Sequence, residues 1–254
     1  MAKHPFQNFA VDHMTLLLHP KIYKTSYAVF RIIFGANPED ILYEKRRPQK
    51  DGSKDVSMTY AARVGSWTDA SSRDPLATIF AVVQPSEGAD EPSHVRDMLG
   101  DSTAHLQHLA LRTPDLIAFH KHALERGVQF VTPILKDEEE NLIQVFSGEW
   151  YLPGSKPTGF FFEFLQREPS DSALAEIQRQ NKQSWFRDET FLGLYGEKER
   201  EYRSGNVLHF LPEPLFNAIS EKLADKEVYE ITEDDLAEIE QLMLDMTAKA
   251  RAAG

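Results

Sequence analysis

The side chains that could hold a reactive centre in this sequence are histidines and acids, because the chain contains no cysteine. Three of them stand in strand-like, largely apolar segments: His13 lies within the run Phe9–Leu18, His108 lies within HLQHLALRT, and Glu163 interrupts a run of phenylalanines. Two neutral imidazoles and one carboxylate make a ligand set that suits Fe(II) and leaves coordination positions open. These residues therefore predict a site for one open-sided divalent metal, with Fe(II) as the favoured ion.

The sequence repeats itself, and the repeat links these three residues. The segment VDHMTLLL aligns with LQHLALRT, which places His13 on His108. The segment IFAVVQP aligns with FFEFLQR, which places Ala81 on Glu163. Equivalent strands of two paired modules face each other across a cleft, so the two histidines and Glu163 should converge on one point. Ala81 should leave the fourth corner of that site empty, whereas a four-ligand site would need an acid there.

The first half of the repeat reads as a strand, a helix and further strands. An apolar strand covers residues 9–18, and strand-like segments follow at 56–61 and 77–83. Between them, the spacing predicts a helix over residues 21–34 that ends at Gly35. The apolar face of that helix consists of four aromatic residues: Tyr23, Tyr27, Phe30 and Phe34.

The second half has the same order. A strand begins at His105, and Thr113-Pro114-Asp115 opens a helix that Gly127 ends. Further strands are predicted at residues 128–131, 142–146 and 159–166. The fold class is therefore α+β, with two paired βαβββ modules at about 8–88 and 103–167 that form one metal-binding domain over 8–167. Residues 168–254 form a helical C-terminal extension.

Each residue also has a plainer interpretation. A single strand histidine is more often a hydrogen-bonded core residue than a metal ligand, and Glu163 could face outward from an edge strand. The equivalence of His13 and His108 in the repeat favours the metal site, as does the cost of burying a carboxylate among phenylalanines. His105 would be a rival ligand, but it lies three residues before His108 and so on the opposite face of a regular strand.

Composition excludes several partners. A formal charge of -12 repels a phosphate backbone, so nucleic acid is not expected as a partner. No apolar run approaches the roughly 20 residues of a membrane span, and the N-terminus lacks the apolar core of a signal peptide. We therefore expect no membrane association and a cytoplasmic location, and we leave a homo-oligomer open.

Three segments resemble the 4-hydroxyphenylpyruvate dioxygenase and hydroxymandelate synthase family of the vicinal oxygen chelate superfamily. Val11-Asp12-His13 resembles the family's first ligand strand, and Gln107-His108-Leu109-Ala110-Leu111 resembles its second. The segment from Gly159 to Arg167 resembles its carboxylate strand. The resemblance covers most of Phe9 to Arg167, and we expect the chain to correspond to the catalytic half only.

This resemblance implies a function. The chain would be a non-haem Fe(II)-dependent dioxygenase that uses O2 to decarboxylate and hydroxylate a 2-oxo acid, with His13, His108 and Glu163 as catalytic metal ligands. Matching pocket positions make Ser57, Gln107 and Gln144 candidate substrate contacts. Gln107 adjoins a ligand, so it needs a twist or a bulge to reach the cleft. The alternative function is a non-catalytic ligand-binding or metal-binding module of the glyoxalase or bleomycin-resistance type.

Two departures from the family pattern concern the substrate. Val83-Gln84-Pro85 stands where the family has asparagine-glutamate-proline, and Ser93-His94-Val95 stands where it has serine-glutamine-isoleucine. Val83 and His94 therefore replace amides that would bind the polar end of an aromatic 2-oxo acid. We expect a 2-oxo acid other than 4-hydroxyphenylpyruvate, with His94 as a new polar contact or as a solvated loop residue.

The C-terminal extension contains one amphipathic helix signal. A capping-box-like start at Thr232 precedes an apolar stripe of five residues: Leu236, Ile239, Leu242, Met243 and Met246. Such a stripe most often packs on its own domain. A dimer contact or an active-site lid is the alternative.

Overall fold

The structure is a computed structural model, and it describes residues 4–48, 55–65, 78–85, 94–137, 141–180 and 190–253. These residues form eight strands: β1 (Ala10–Leu18), β2 (Ile41–Pro48), β3 (Asp55–Val64), β4 (Thr78–Pro85), β5 (Ala104–Arg112), β6 (Leu135–Asp137), β7 (Leu142–Glu149) and β8 (Phe161–Arg167). They also form seven α-helices: α1 (Pro20–Ile32), α2 (His94–Leu99), α3 (Leu116–Glu125), α4 (Asp171–Gln180), α5 (Thr190–Ser204), α6 (Glu213–Lys222) and α7 (Glu233–Ala253).

All eight strands belong to one mixed sheet in the order β2-β3-β4-β1-β5-β8-β7-β6. Outward from the centre, each half has the same order of first, fourth, third and second strand. The first and fourth strands of each half are parallel, and β1 pairs antiparallel with β5 to join the halves. This symmetry confirms the predicted α+β class of paired βαβββ modules with helices after them.

The sheet buries apolar residues on both of its faces. On the outer face, α1 covers the first module through Tyr23 and Phe30, and α3 covers the second module through Leu116 and Phe119. The opposite face, which we call the inner face, carries a cluster to which both modules contribute. Its members come from five strands, α2 and α5: Leu17, Val83, Val95, Met98, Leu99, Leu135, Phe146, Phe161 and Leu194. The core therefore continues across the seam between the modules.

The C-terminal helices attach to the second module. Lys198 on α5 is fully buried, and its Nζ lies 3.0 Å from Oε1 of the equally buried Glu149 at the end of β7. Helix α7 packs against α3 and α6, and it buries Ile239 from its apolar stripe. That stripe thus packs on its own domain. This was the first alternative given for it, the others being a dimer contact and an active-site lid. Among the described residues, no helix is long and apolar enough to span a membrane.

Several predicted element boundaries are wrong, each for a local reason. Between the predicted helix at 21–34 and the predicted strand at 56–61, where the sequence indicated no strand, lies β2, an edge strand whose sequence Lys45-Arg46-Arg47 is typical of charged sheet edges. Residues 128–131 form no strand. Instead, the backbone N–H of Gln129 donates to the carbonyl of Phe210, and β6 forms later, at 135–137.

The start of the second module's helix also differs from the prediction. Asp115 is the N-cap, and its carboxylate accepts a hydrogen bond from the backbone N–H of Ala118. Thr113 still belongs to the sheet, because its N–H donates to the carbonyl of Leu165. The helix therefore begins after Pro114 and not at it.

Candidate metal centre

The strand register places the three predicted ligands around the central seam. In one row across the sheet, His13 pairs with Ala110 and Ala110 pairs with Glu163. In the symmetry-related row, His108 pairs with Thr15 and Thr15 pairs with Ala81. Ala81 therefore occupies in the first module the position that Glu163 occupies in the second. The repeat alignment had paired the same two residues.

Three ligand atoms form a nearly equilateral triangle on the inner face. Nε2 of His13 lies 3.2 Å from Oε2 of Glu163, and Nε2 of His108 lies 3.3 Å from the same oxygen. The two Nε2 atoms are 3.4 Å apart. Each corner is ~1.9 Å from the centre of such a triangle, so a metal slightly above the centre meets all three at first-shell distances of about 2.0–2.2 Å.

The donor set and its burial also fit a divalent cation. His108 and Glu163 are buried, and His13 is partly buried. Among the described residues, the buried Oε1 of Glu163 has no hydrogen-bond partner, which is costly for a carboxylate oxygen in an apolar setting. The group of His13, His108 and Glu163 could therefore hold a metal ion.

Two β-bulges orient the imidazoles. The β1–β5 register shifts between Val11 and His13, and again between Thr15 and Leu16, so Asp12 and Gln107 are extra residues in the ladder. Each precedes a ligand histidine, and each accepts a hydrogen bond at that histidine's Nδ1. The distances are 3.1 Å from His13 to Asp12 and 3.2 Å from His108 to Gln107. With Nδ1 fixed in this way, both rings present Nε2 to the centre.

The two orienting residues differ in charge. Oδ1 and Oδ2 of Asp12 each accept a 2.7 Å hydrogen bond from Arg167, so a bidentate ion pair fixes the carboxylate. Gln107 is neutral, and its Nε2 donates to Sδ of Met98 at 3.5 Å. His13 therefore has an anionic partner, which makes its imidazole the more basic of the two.

The electrostatics of the three groups favour a protonated His13, an ionised Glu163 and a neutral His108. Burial disfavours the charged form of His13, but the attraction of Glu163 and the hydrogen bond to Asp12 outweigh it and raise the pKa of His13 to about 10. Burial likewise opposes ionisation of Glu163, and His13 overrides it by lowering the pKa of Glu163 to about 2. Burial lowers the pKa of His108, which is therefore neutral.

The remaining predicted pocket residues are distributed over the inner face. Val83 lies two residues beyond Ala81 and is buried in the inner cluster beside Leu17. Gln144 is buried and pairs with Leu165, two residues from Glu163 on the same face. Ser57 pairs with Pro85 in the β3–β4 ladder, and its side chain lies outside the described part of the structure.

The position of His94 also departs from the loop expected from the sequence. His94 begins α2, a helix that the sequence analysis did not predict. Its side chain lies outside the described part of the structure. Its predicted contact with a substrate therefore stays a prediction.

His105 does not lie on the opposite face from His108, as a regular strand would require. It pairs with Leu17 of the inner cluster, and its Nε2 lies 3.1 Å from the point where a Cβ on Gly159 would stand. The bulge at Gln107 causes this change, because one extra residue reverses the alternation of side chains. Within the part of the chain that the structure describes, the buried Nε2 of His105 has no hydrogen-bond partner. His105 is not a member of the ligand group.

Sequence reasoning missed the residues that support the site. Asp12 stands beside His13 in the sequence, but its partner Arg167 lies 155 positions away. Lys198 and Glu149 were also missed. The Nζ atom of Lys198 lies over the ring of Phe161, 5.1 Å from its centroid. That ring is 5.0 Å from the ring of His108. The Asp12-His13 and Gln107-His108 pairs were the available signal, because each places a polar acceptor beside a ligand.

Comparison with known proteins supports the fold. No family model and no curated protein matches the chain. Among solved structures, a triple mutant of 4-hydroxymandelate synthase from Streptomyces coelicolor matches with a TM-score of 0.53 at 18% identity, over 76% of this chain and 55% of that chain. A methylmalonyl-CoA epimerase matches with a TM-score of 0.46 at 19% identity, over 66% of this chain and 100% of that chain.

A second epimerase, from Mycobacterium tuberculosis, matches with a TM-score of 0.42 at 17% identity, over 68% of this chain and 96% of that chain. The chain thus spans 55% of the length of the synthase that it matches. At 18% identity, the likeness to the synthase shows the fold alone, which is the paired βαβββ arrangement called the vicinal oxygen chelate fold.

The proton on His13 predicts that metal binding depends on pH. His13 holds a proton near neutral pH, because its pKa is raised to about 10, and a ligating imidazole must give that proton up. We expect about one proton to be released for each Co(II) or Fe(II) bound, and an apparent affinity that rises about tenfold per pH unit between pH 6 and 8. Calorimetry in buffers of different ionisation enthalpy measures the release. A pH-independent affinity would contradict the assignment.

The ion pair between Asp12 and Arg167 predicts that Asp12 positions the imidazole of His13 for metal binding. Asp12→Asn removes the charge that fixes His13, so we expect metal affinity to fall by about 10- to 100-fold. Asp40→Asn is the matched control, because Asp40 also accepts two hydrogen bonds from one arginine, Arg63, but belongs to no ligand group. Calorimetric titration of both variants is the test. Equal affinities in the two variants would contradict the positioning role.

Proposed function

We propose that the chain is a non-haem Fe(II)-dependent dioxygenase that acts on a 2-oxo acid, with His13, His108 and Glu163 as metal ligands. The observation that carries this proposal is the asymmetry of the fourth corner. Ala81 stands where a fourth protein ligand would be, so the residues supply three ligands and leave the rest of the coordination sphere to substrate and O2. Fe(II) bound there would supply the redox chemistry of oxidative decarboxylation and hydroxylation.

The protein's own residues would hold the metal, orient its ligands and shield the site from water. Asp12 and Gln107 fix the two imidazoles through Nδ1. The oxygen and the nitrogen of the Gln107 amide each have a hydrogen-bond partner, His108 and Met98 respectively. We therefore propose that the main role of Gln107 is to orient His108. Phe161 and Phe146 flank the ligands in the inner cluster and exclude water from one side of the site.

The substrate end of the site is proposed to be apolar. Val83 is fully buried among Leu17 and Phe161, and a valine offers no hydrogen bond to a phenolic hydroxyl. Gln144 is the buried side-chain amide of β7. We propose that it hydrogen-bonds a polar group of the substrate. We therefore propose a 2-oxo acid with an apolar side chain as the preferred substrate, with Ser57 and His94 as further contacts.

Oxygen uptake across a set of 2-oxo acids tests this function. Protein loaded with Fe(II) under anaerobic conditions is mixed with oxygenated buffer and phenylpyruvate, 4-hydroxyphenylpyruvate or an aliphatic 2-oxo acid. We expect one of the apolar acids to exceed 4-hydroxyphenylpyruvate in kcat/KM by at least about tenfold. Gln144→Ala should lower kcat/KM for the preferred acid, and Glu163→Ala should abolish uptake.

Two outcomes would contradict the proposal in different ways. Selective conversion of 4-hydroxyphenylpyruvate to homogentisate would contradict the assigned specificity while leaving the dioxygenase class intact. Stoichiometric Fe(II) binding without oxygen uptake on any 2-oxo acid would contradict the dioxygenase class. It would favour the non-catalytic binding module instead.

A further inference from the structure

Thr15 is a buried hydroxyl at the centre of the site. Its side chain is 3% exposed, and its backbone pairs with His108 on one side and Ala81 on the other. Its Oγ1 lies 2.9 Å from Nε2 of His108. Because Nδ1 of His108 donates to Gln107, Nε2 carries the lone pair, and the Thr15 hydroxyl donates to it.

The same lone pair is the one that a metal would use. A neutral imidazole nitrogen has one lone pair, so it cannot accept from Thr15 and ligate a metal together. Metal binding therefore leaves the Thr15 hydroxyl without its acceptor. A buried hydroxyl without a partner is unfavourable, so Thr15 needs a new acceptor in the loaded protein.

The space beside Thr15 lies on the side of the first module. The row that runs from His108 through Thr15 continues to Ala81 and then to Ala61. In the second module the corresponding positions are Glu163 and Phe146. Two methyl side chains thus stand where the other module has a carboxylate and a phenyl ring, so neither of these positions supplies a protein ligand or a polar group beside Thr15.

The distances allow Thr15 to reach a ligand of the metal. Its Oγ1 is 2.9 Å from Nε2 of His108. A metal on that nitrogen would therefore lie no more than ~5 Å from the hydroxyl, given a first-shell bond of about 2.1 Å. Because Thr15 pairs with Ala81, an oxygen ligand that enters on the Ala81 side would approach next to the Thr15 hydroxyl.

We propose that the Thr15 hydroxyl hydrogen-bonds the oxygen ligand that enters the open corner beside Ala81, and that this ligand is the carboxylate or keto oxygen of a chelating oxo acid. Thr15 is thus a substrate contact that is masked by His108 in the metal-free protein. The inference rests on the metal assignment of the proposed function, but it does not depend on turnover.

Binding of oxalate to the Co(II)-loaded protein tests this contact without oxygen chemistry. Thr15→Val keeps the shape of the side chain and removes the hydroxyl, and Thr15→Ser keeps the hydroxyl. We expect Thr15→Val to weaken oxalate binding by about tenfold, as loss of a hydrogen bond to a charged group does. Thr15→Ser should stay within about threefold of the unchanged protein. Phenylpyruvate should show the same order of affinities.

Co(II) affinity itself is the second readout. Thr15→Val removes the competitor for Nε2 of His108, so its Co(II) affinity should equal or exceed that of the unchanged protein. Equal oxalate affinity in the valine and serine variants would overturn the inference, and so would a parallel loss of Co(II) binding in Thr15→Val. Oxalate discrimination without oxygen uptake on any 2-oxo acid would instead uphold Thr15 and overturn the dioxygenase. Failure of the unchanged protein to bind Co(II) would overturn both.

Discussion

The antiparallel pairing of β1 with β5 is the constraint on which the site depends. It joins the two modules, and its register sets His13 against Ala110 and His108 against Thr15. A shift of one residue along this seam would move both histidines to the outer face of the sheet. The position of Glu163 follows from the same seam, since β8 pairs with β5 and places Glu163 against Ala110.

The seam also determines how the candidate metal ligands are supported. Its two bulges fall immediately before His13 and His108, so the side chain of the preceding residue is the hydrogen-bond partner of each imidazole. The buried carboxylate of Glu163 is stabilised in the metal-free protein by the proton on His13. A metal bound to the three residues would replace that proton, and its positive charge would balance the carboxylate of Glu163. The same arrangement explains why Arg167, far along the chain, belongs to the support of the centre.

Much of the architecture could be predicted because the sequence repeats. The two alignments within the repeat were enough to place His13, His108 and Glu163 together and Ala81 at the fourth corner. Regular alternation could not show the bulges, and for this reason His105 was placed on the wrong face. The edge strand β2 was missed because its charged sequence resembles a loop. The partnership of Asp12 with Arg167 depends on strand pairing across the whole domain, which no local pattern reports.

The central claim is that one metal binds to His13, His108 and Glu163. Anomalous diffraction from crystals of the Fe(II)-loaded protein, measured on both sides of the iron absorption edge, tests it most directly. The account predicts one iron peak at about 2.0–2.2 Å from Nε2 of His13, Nε2 of His108 and Oε2 of Glu163. Iron bound stoichiometrically at any other position would contradict it.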